Sequence, residues 1–396
     1  MDSLKQIACD AIDKERAHLF ELSTEIWHHK ELAFEEHKSH ATLTQFLEQR
    51  GFIVQRHYKL ETAFLAQYER PKQSQKHNVC NFTDHKPHIA VLCEYDALPD
   101  IGHACGHNLI AELGVAAALG IKAVLDQADE DLGKLSVIGT PAEEGGGGKI
   151  DLINAGVFDD VDVAIMAHPA PFTDARPVFI GGKKFYVNYH GKPSHAAGFP
   201  WEGVNALDAA VLGYMNIAAL RQQLHPSWRV HVIITKGGTK TNIIPDETEM
   251  MVQIRTARDS EIPQIEAKVK ACLRASAEAT GCTLDFVDFP KPYSSLVTNE
   301  TLAGLYEING ALIGEEFQPV TTKKVLGSTD MGNLSHKLPC LHPTYQCGTE
   351  AFNHTREFTA AVGKLTRRHY SHLPLLRQIL AMVAVDIFSK PHYWTI

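Results

Sequence analysis

Between residues 89 and 169 the chain alternates apolar runs with helical ones. IAVLCEYDALP is followed by NLIAELGVAAALGIKAVLDQ, KLSVIGTP, a short helix around Asp151 to Asn154, and VDVAIMAHP. The strand-like runs are almost wholly apolar rather than alternating, so both of their faces must be covered, as in a parallel sheet flanked by helices. Such a sheet collects its ligands just beyond the carboxyl ends of its strands.

The order then changes. FYVNYH reads as a strand, VNALDAAVLGYMNIAALRQQL as a helix, WRVHVIIT and ETEMMVQIRTA as strands, EIPQIEAKVKACLRASAEAT as a helix and TLDFVDF as a closing strand. This βαββαβ sequence predicts a ferredoxin-like unit. After Pro290 and Pro292 helix and loop return, so the expected architecture is a larger α/β domain, 1–181 with 291–396, interrupted by an inserted domain, 182–290. The first thirty residues read as one amphipathic helix, and LPLLRQILAMVAVDIFSK as a capping helix on the larger domain.

Composition narrows the function. The 396 residues carry 38 basic and 47 acidic side chains, a net charge of −9 without long runs of either sign. Nucleic acid and anionic membrane are therefore not the expected partners. The amino-terminal segment has no signal-like apolar core, and no later stretch reads as 18 uncharged apolar residues, so a soluble cytoplasmic protein is expected. Eight cysteines dispersed over this length read as reduced thiols, and 22 histidines make metal or proton chemistry the more informative lead.

Three segments carry that chemistry. In IGHACGHN, Cys105 and His107 stand two apart in a glycine-bounded turn before a helix, a thiolate and imidazole pair suited to Zn²⁺ or a similar ion. In TPAEEGGGG, the adjacent acids Glu143 and Glu144 leave a buried strand and can diverge, one toward a metal and one toward the water it activates. In MAHP, His168 ends the next strand. With Asp96, these residues all sit at the carboxyl ends of successive predicted strands. The glycines after Glu144 form neither GxGxxG nor a Walker loop, which sets a nucleotide-binding reading aside.

The segments YDALPDIGHACGHN, GTPAEEGGGG, MAHP, GKPSHAA, TNIIPD and FNHTREF, in this order, resemble the amidohydrolase branch of the aminoacylase and carboxypeptidase G metallopeptidases. The run GSTDMGNLSHKLP is similar to the subgroup of β-alanyl-lysine (Xaa-Arg) dipeptidases and p-aminobenzoyl-glutamate hydrolases. The resemblance implies two divalent metal ions, zinc with manganese or cobalt as alternatives. Cys105 would bridge them, His107 and His168 would complete one shell, and Glu144 and His354 the other. It implies Glu143 as general base and Asp96 as an orienting acid behind the ligands. The inserted domain would act as a lid and homodimer interface, with His195 reaching the partner's active site to polarise the scissile carbonyl and Asn242 and Arg255 holding the substrate's carboxylate. One departure is Asn108, where many members of the branch carry Asp; altered metal preference or tuning is expected from it.

The implied reaction is metal-dependent hydrolysis of a dipeptide with a free carboxylate and a basic carboxyl-terminal residue. An N-acyl or p-aminobenzoyl amino acid amidohydrolase would use the same residues. A catalytically inactive metal-bearing interaction protein is the reading from another class, and the presence of Glu143, His195 and Arg255 argues against it.

Overall fold

In the computed structural model, strands β3 (His88–Cys93) and β4 (Lys134–Gly139) run parallel with His88 opposite Lys134 and Cys93 opposite Gly139. On its other edge β3 pairs in parallel with β5 (Val163–Ile165), which in turn pairs with Cys340–Leu341. Two further strands, β1 (Ile53–Arg56) and β2 (Phe64–Tyr68), extend the sheet from β4 with antiparallel pairing. The six-stranded order is therefore β1-β2-β4-β3-β5 followed by Cys340–Leu341. All six residues of β3 are buried, as its unbroken apolar run requires.

The structure describes residues 2–68, 70, 86–317, 325–363 and 373–390, and these divide into two compact units. The first comprises residues 1–177, 297–324 and 333–396, and holds the sheet just described. Helix α4 (His107–Gln127) packs along it between the helices α1 (Ser3–Lys14), α2 (Arg16–His29) and Leu373–Ser389. Helix α3 (His37–Glu48) packs against α2, and α5 (Gly148–Asn154) lies between β4 and β5 in the chain. Among the described residues α4 is the helix long and apolar enough to cross a membrane. It carries Glu112 and Lys122, and 89% of its most apolar window is buried, which marks a core helix.

Two local expectations change. The amino-terminal segment is two helices rather than one, interrupted at Glu15, whose carboxylate takes the Arg50 Nε at 2.9 Å. Its apolar spacing continues through the break because Ile12, Leu19 and Ile26 all face one core. VDVAIMAHP is likewise two strands, β5 and β6 (His168–Ala170), and β6 pairs with Thr344–Gln346. That second pairing gives His168 its own backbone anchor, His168 N to Pro343 O at 2.9 Å.

The second unit comprises residues 178–296 and 325–332. Its short strand β7 (Val178–Phe179) pairs in parallel with Val325–Leu326. The expected limits of 182 and 290 fall inside this unit, which also takes in a segment far along the chain. Its fold runs β8 (Gly181–His190), α6 (Ala206–Leu220), β9 (Arg229–Lys236), β10 (Glu247–Thr256), α7 (Ile262–Thr280) and β11 (Thr283–Asp288). The antiparallel order is β11-β8-β10-β9, that of a ferredoxin-like sheet. Phe185, Val187 and Tyr189 of β8 alternate with outward residues, as do Met250, Val252 and Ile254 of β10. Ala209 and Ile217 of α6 and Val269 and Leu273 of α7 cover that apolar face. The chain is thus α/β, with a mostly parallel sheet and a separate ferredoxin-like unit.

Candidate metal centre

The parallel register brings the ends of β3, β4 and β5 to one edge of the first unit, and the motif residues follow those ends. Cys105 and His107 flank Gly106 at the start of α4. Gly106 has φ +84°, and a Cβ there would lie 2.6 Å from Pro169 Cγ, so only glycine fits between the two. His107 Nδ1 is 2.9 Å from Asp96 Oδ1. A carboxylate only accepts, so the ring proton sits on Nδ1 and the lone pair of Nε2 faces the site. Around Nε2 stand Glu94 Oε2 at 3.5 Å, Glu144 Oε1 at 3.8 Å and Glu143 Oε2 at 3.9 Å.

His168 is oriented in the same way, with Nδ1 2.9 Å from the Pro169 carbonyl and Nε2 3.3 Å from Cys105 Sγ. His354 Nε2 lies 3.4 Å from Glu144 Oε1. The His354 backbone has φ +67°, an uncommon conformation for a residue with a Cβ, and is held by its N–H to Ala104 O at 2.8 Å. Its neighbour Asn353 donates to Cys105 O and Pro169 O, both at 3.1 Å, tying three loops together.

The donors form clusters in which every ligand atom lies within 4.8 Å of the others. Cys105, His107 and His168 make one; Cys105, Glu144 and His354 make another; His107, Glu143 and Glu144 make a third. The first two share the Cys105 sulfur. His107 Nε2 and Glu144 Oε1 are buried without any hydrogen-bond partner, which is costly unless a cation sits there. One thiol, three imidazoles and a carboxylate suit zinc, manganese or cobalt, so the residues fit a pair of divalent ions.

Electrostatics point the same way. Burial opposes the charge of Asp96, but the His107 imidazole and the Glu144 N–H (2.9 Å from Oδ2) outweigh it and hold the carboxyl below its ordinary value. Burial likewise opposes the charge of Glu144, and His354 and His107 prevail to lower it. Burial pushes His168 down to about 4, leaving a neutral imidazole at pH 7. Burial, with Glu144 beside it, drives the Cys105 thiol well up, so the thiolate forms only with a cation to stabilise it.

Glu94, Lys149 and Asn353 were not among the residues singled out in the sequence. Glu94 and Lys149 are fully buried and paired, with Lys149 Nζ on Glu94 Oε1. A signal existed for Glu94, which ends the same apolar strand as Asp96.

His195, Asn242 and Arg255 lie in the second unit. His195 and Asn242 are neighbours there: Ala196 N donates to Asn242 O at 3.1 Å, and His195 bridges Ile243. Arg255 is near the far end of β10, with Nη1 3.5 Å from Ser328 Oγ. Asn242 lies beyond the Glu247 end, and the eight residue steps from Glu247 to Arg255 alone span about 27 Å. Within one copy the two residues therefore stand toward opposite ends of β10.

Residues 181–280 match the Peptidase dimerisation domain of the M20 peptidases. The chain is 45% identical to Xaa-Arg dipeptidase of Mus musculus across 99% of its length and 90% of the mouse protein. It is 32% identical to a subunit of the p-aminobenzoyl-glutamate hydrolase of Escherichia coli, over 76% of this chain and 64% of that one. A Bacillus subtilis structure described as a dinuclear metal binding peptidase from the M20 family has TM-score 0.70 at 20% identity, covering 94% of this chain and 99% of that chain. The chain belongs to the Xaa-Arg dipeptidase family of M20 peptidases. It is accordingly a member of a family of peptide- and amide-bond hydrolases.

Within this M20 chain, the amide of Asn108 joins packed helices. Its Nδ2 donates to Ser23 Oγ at 3.0 Å and to Val362 O at 3.4 Å, joining α4 to α2 and to the helix Arg356–Gly363. A carboxylate here would meet the Val362 carbonyl with no proton to offer. Asn108→Asp should cost about 1–3 kcal/mol in urea unfolding, while bound metal per subunit, measured by elemental analysis, stays at the wild-type level.

Proposed function

We propose that the chain is a metal-dependent dipeptidase acting on dipeptides with a free carboxyl-terminal carboxylate and a basic last residue, β-alanyl-lysine being the type. The observation that carries this reading is the pair of donor clusters meeting at Cys105 with Glu143 beside them, in a chain 45% identical to a named Xaa-Arg dipeptidase. Cys105, His107 and His168 would hold one ion and Cys105, Glu144 and His354 the other, with zinc as the native metal. When bound, such ions lower the pKa of a water toward neutrality and polarise the scissile carbonyl.

The residues of the chain supply the rest. Glu143, buried with Oε2 beside His107, accepts the proton of the attacking water as the new C–O bond forms. When the C–N bond breaks, Glu143 returns that proton to the leaving nitrogen, releasing an acid and an amine with no acyl-enzyme. Asp96 keeps His107 in the tautomer that presents Nε2. In the second unit, His195 is exposed and suited to stabilise the developing oxyanion. Arg255 offers a planar fork for the substrate's carboxylate.

The separation of Asn242 and Arg255 supports a site completed by two copies, with His195 and Asn242 coming from the partner and Arg255 from the chain that holds the metals. A homodimer through the ferredoxin-like unit is further supported by apolar side chains left exposed on it. Edge strand β9 presents Ile233 and Ile234, and α6 presents Val211, Leu212, Tyr214 and Met215. Seven described cysteines are all free, in keeping with a reducing cytoplasm.

Glu143→Gln should abolish hydrolysis while leaving metal content near wild type, and His354→Ala should lower metal content. Wild-type turnover in Glu143→Gln would remove the base from this scheme. His195→Ala homodimers should be inactive, yet mixed with Glu143→Gln subunits should recover part of the activity through hybrid sites; verified mixed dimers without recovery would exclude action in trans.

The second reading, hydrolysis of N-acyl or p-aminobenzoyl amino acids, draws on the 32% identity to the Escherichia coli hydrolase. A panel of β-alanyl-lysine, an N-acetyl amino acid and p-aminobenzoyl-glutamate on zinc-reconstituted protein separates the two. The dipeptide should give the highest kcat/KM, and preference for either acyl substrate would transfer the assignment.

A further inference from the structure

The turn that delivers Glu143 and Glu144 is held in an unfavourable shape. Ala142, immediately before them, has φ +60° and is fully buried. An L-residue with a side chain does not hold that conformation unless its surroundings enforce it. The enforcing group is Glu36, more than a hundred residues earlier. It is fully buried, and its Oε1 accepts the Ala142 N–H at 2.8 Å while its Oε2 accepts the Thr62 hydroxyl at 2.7 Å.

Nothing about the fold of its own helix demands this carboxylate. Glu36 occupies the N-cap position of α3 but makes no side-chain cap. Glu31 does that work instead, accepting from Lys38 N at 2.8 Å and Ser39 N at 2.9 Å. Glu36 is thus released into the interior, where a connected chain of contacts begins. Thr62 O accepts the hydroxyl of Tyr95, which stands between Glu94 and Asp96. Asp96 accepts the Glu144 N–H, and so closes the loop back onto the acid pair. The same segment also reaches the residue that caps α3, through Ala97 N to Glu31 O at 2.7 Å.

We propose that Glu36 is a positioning residue for hydrolysis: by accepting the Ala142 N–H it fixes the peptide that aims Glu143 at the attacking water and Glu144 at its cation. This rests on the roles assigned to Glu143 and Glu144 above. Burial raises the Glu36 carboxyl to about 7, and either charge state keeps an acceptor for Ala142 and a partner for Thr62. The agent is therefore reach and hydrogen bonding rather than charge, which separates two conservative substitutions. Glutamine preserves the reach without the charge. Aspartate preserves the charge but is one methylene too short.

The test compares Glu36→Gln and Glu36→Asp with wild type and Glu143→Gln, using β-alanyl-lysine as substrate and Zn²⁺ as the metal. Folding is checked by far-UV circular dichroism of the metal-free proteins. Glu36→Asp should lower kcat about 10- to 100-fold with KM changed little, and weaken zinc retention against a chromophoric chelator by a similar factor. Glu36→Gln should keep both near wild type. The proposal is overturned if folded Glu36→Asp matches wild type in kcat and zinc retention, or if Glu36→Gln falls as far as Glu36→Asp. An active Glu143→Gln would instead indict the base assignment, whatever the Glu36 variants do.

Discussion

The two oxygens of Asp96 organise the centre. One binds His107 Nδ1 and the other the Glu144 N–H, each at 2.9 Å, so a single buried carboxylate sets a ring on α4 and a backbone turn after β4. This is possible only because β3 and β4 are parallel and in register to their last residues, Cys93 opposite Gly139, with Thr140 N still bonded to Cys93 O at 2.8 Å. A register slip of one residue would shift Asp96 against the turn after β4 and separate the two groups it joins.

Around that axis the other candidate ligands arrive from distant parts of the chain. Pro169 does two things at once: its carbonyl orients the His168 ring and accepts from Asn353, and its ring fills the space that a side chain at position 106 would need. His354 is held in a left-handed backbone conformation by its N–H on Ala104 O. Several of the candidate ligands are thus oriented by main-chain groups, which have less freedom than side chains.

Much of this was legible in the sequence where the signal is periodic or local. The parallel strands, the βαββαβ order of the second unit and the residues Cys105, His107, Glu143, Glu144 and His168 at strand ends all follow from apolar patterning and spacing. His354, His195, Asn242 and Arg255 came from the family resemblance, since nothing in their local sequence marks chemistry. Glu36, Lys149 and Asn353 left no trace: each is a polar residue whose burial and partners exist only after distant segments meet. The break at Glu15 was hidden because two helices on one core preserve a single apolar stripe. The membership of residues 325–332 in the second unit was hidden because a short strand carries too little pattern to reveal its partner.

The first unit gathers an excess of acidic groups around the candidate site. Glu94, Asp96, Glu143 and Glu144 bring four carboxylates into a buried region, and a metal-bound Cys105 would add a thiolate. The ammonium of Lys149, on Glu94, offsets one of these. His168 is neutral at pH 7. Such a set of acids is expensive to bury without cations beside it. Pairing with the Glu94 carboxylate is why Lys149 is tolerated at such depth. One Glu94 oxygen is committed to that ammonium, while the other stands 3.5 Å from His107 Nε2.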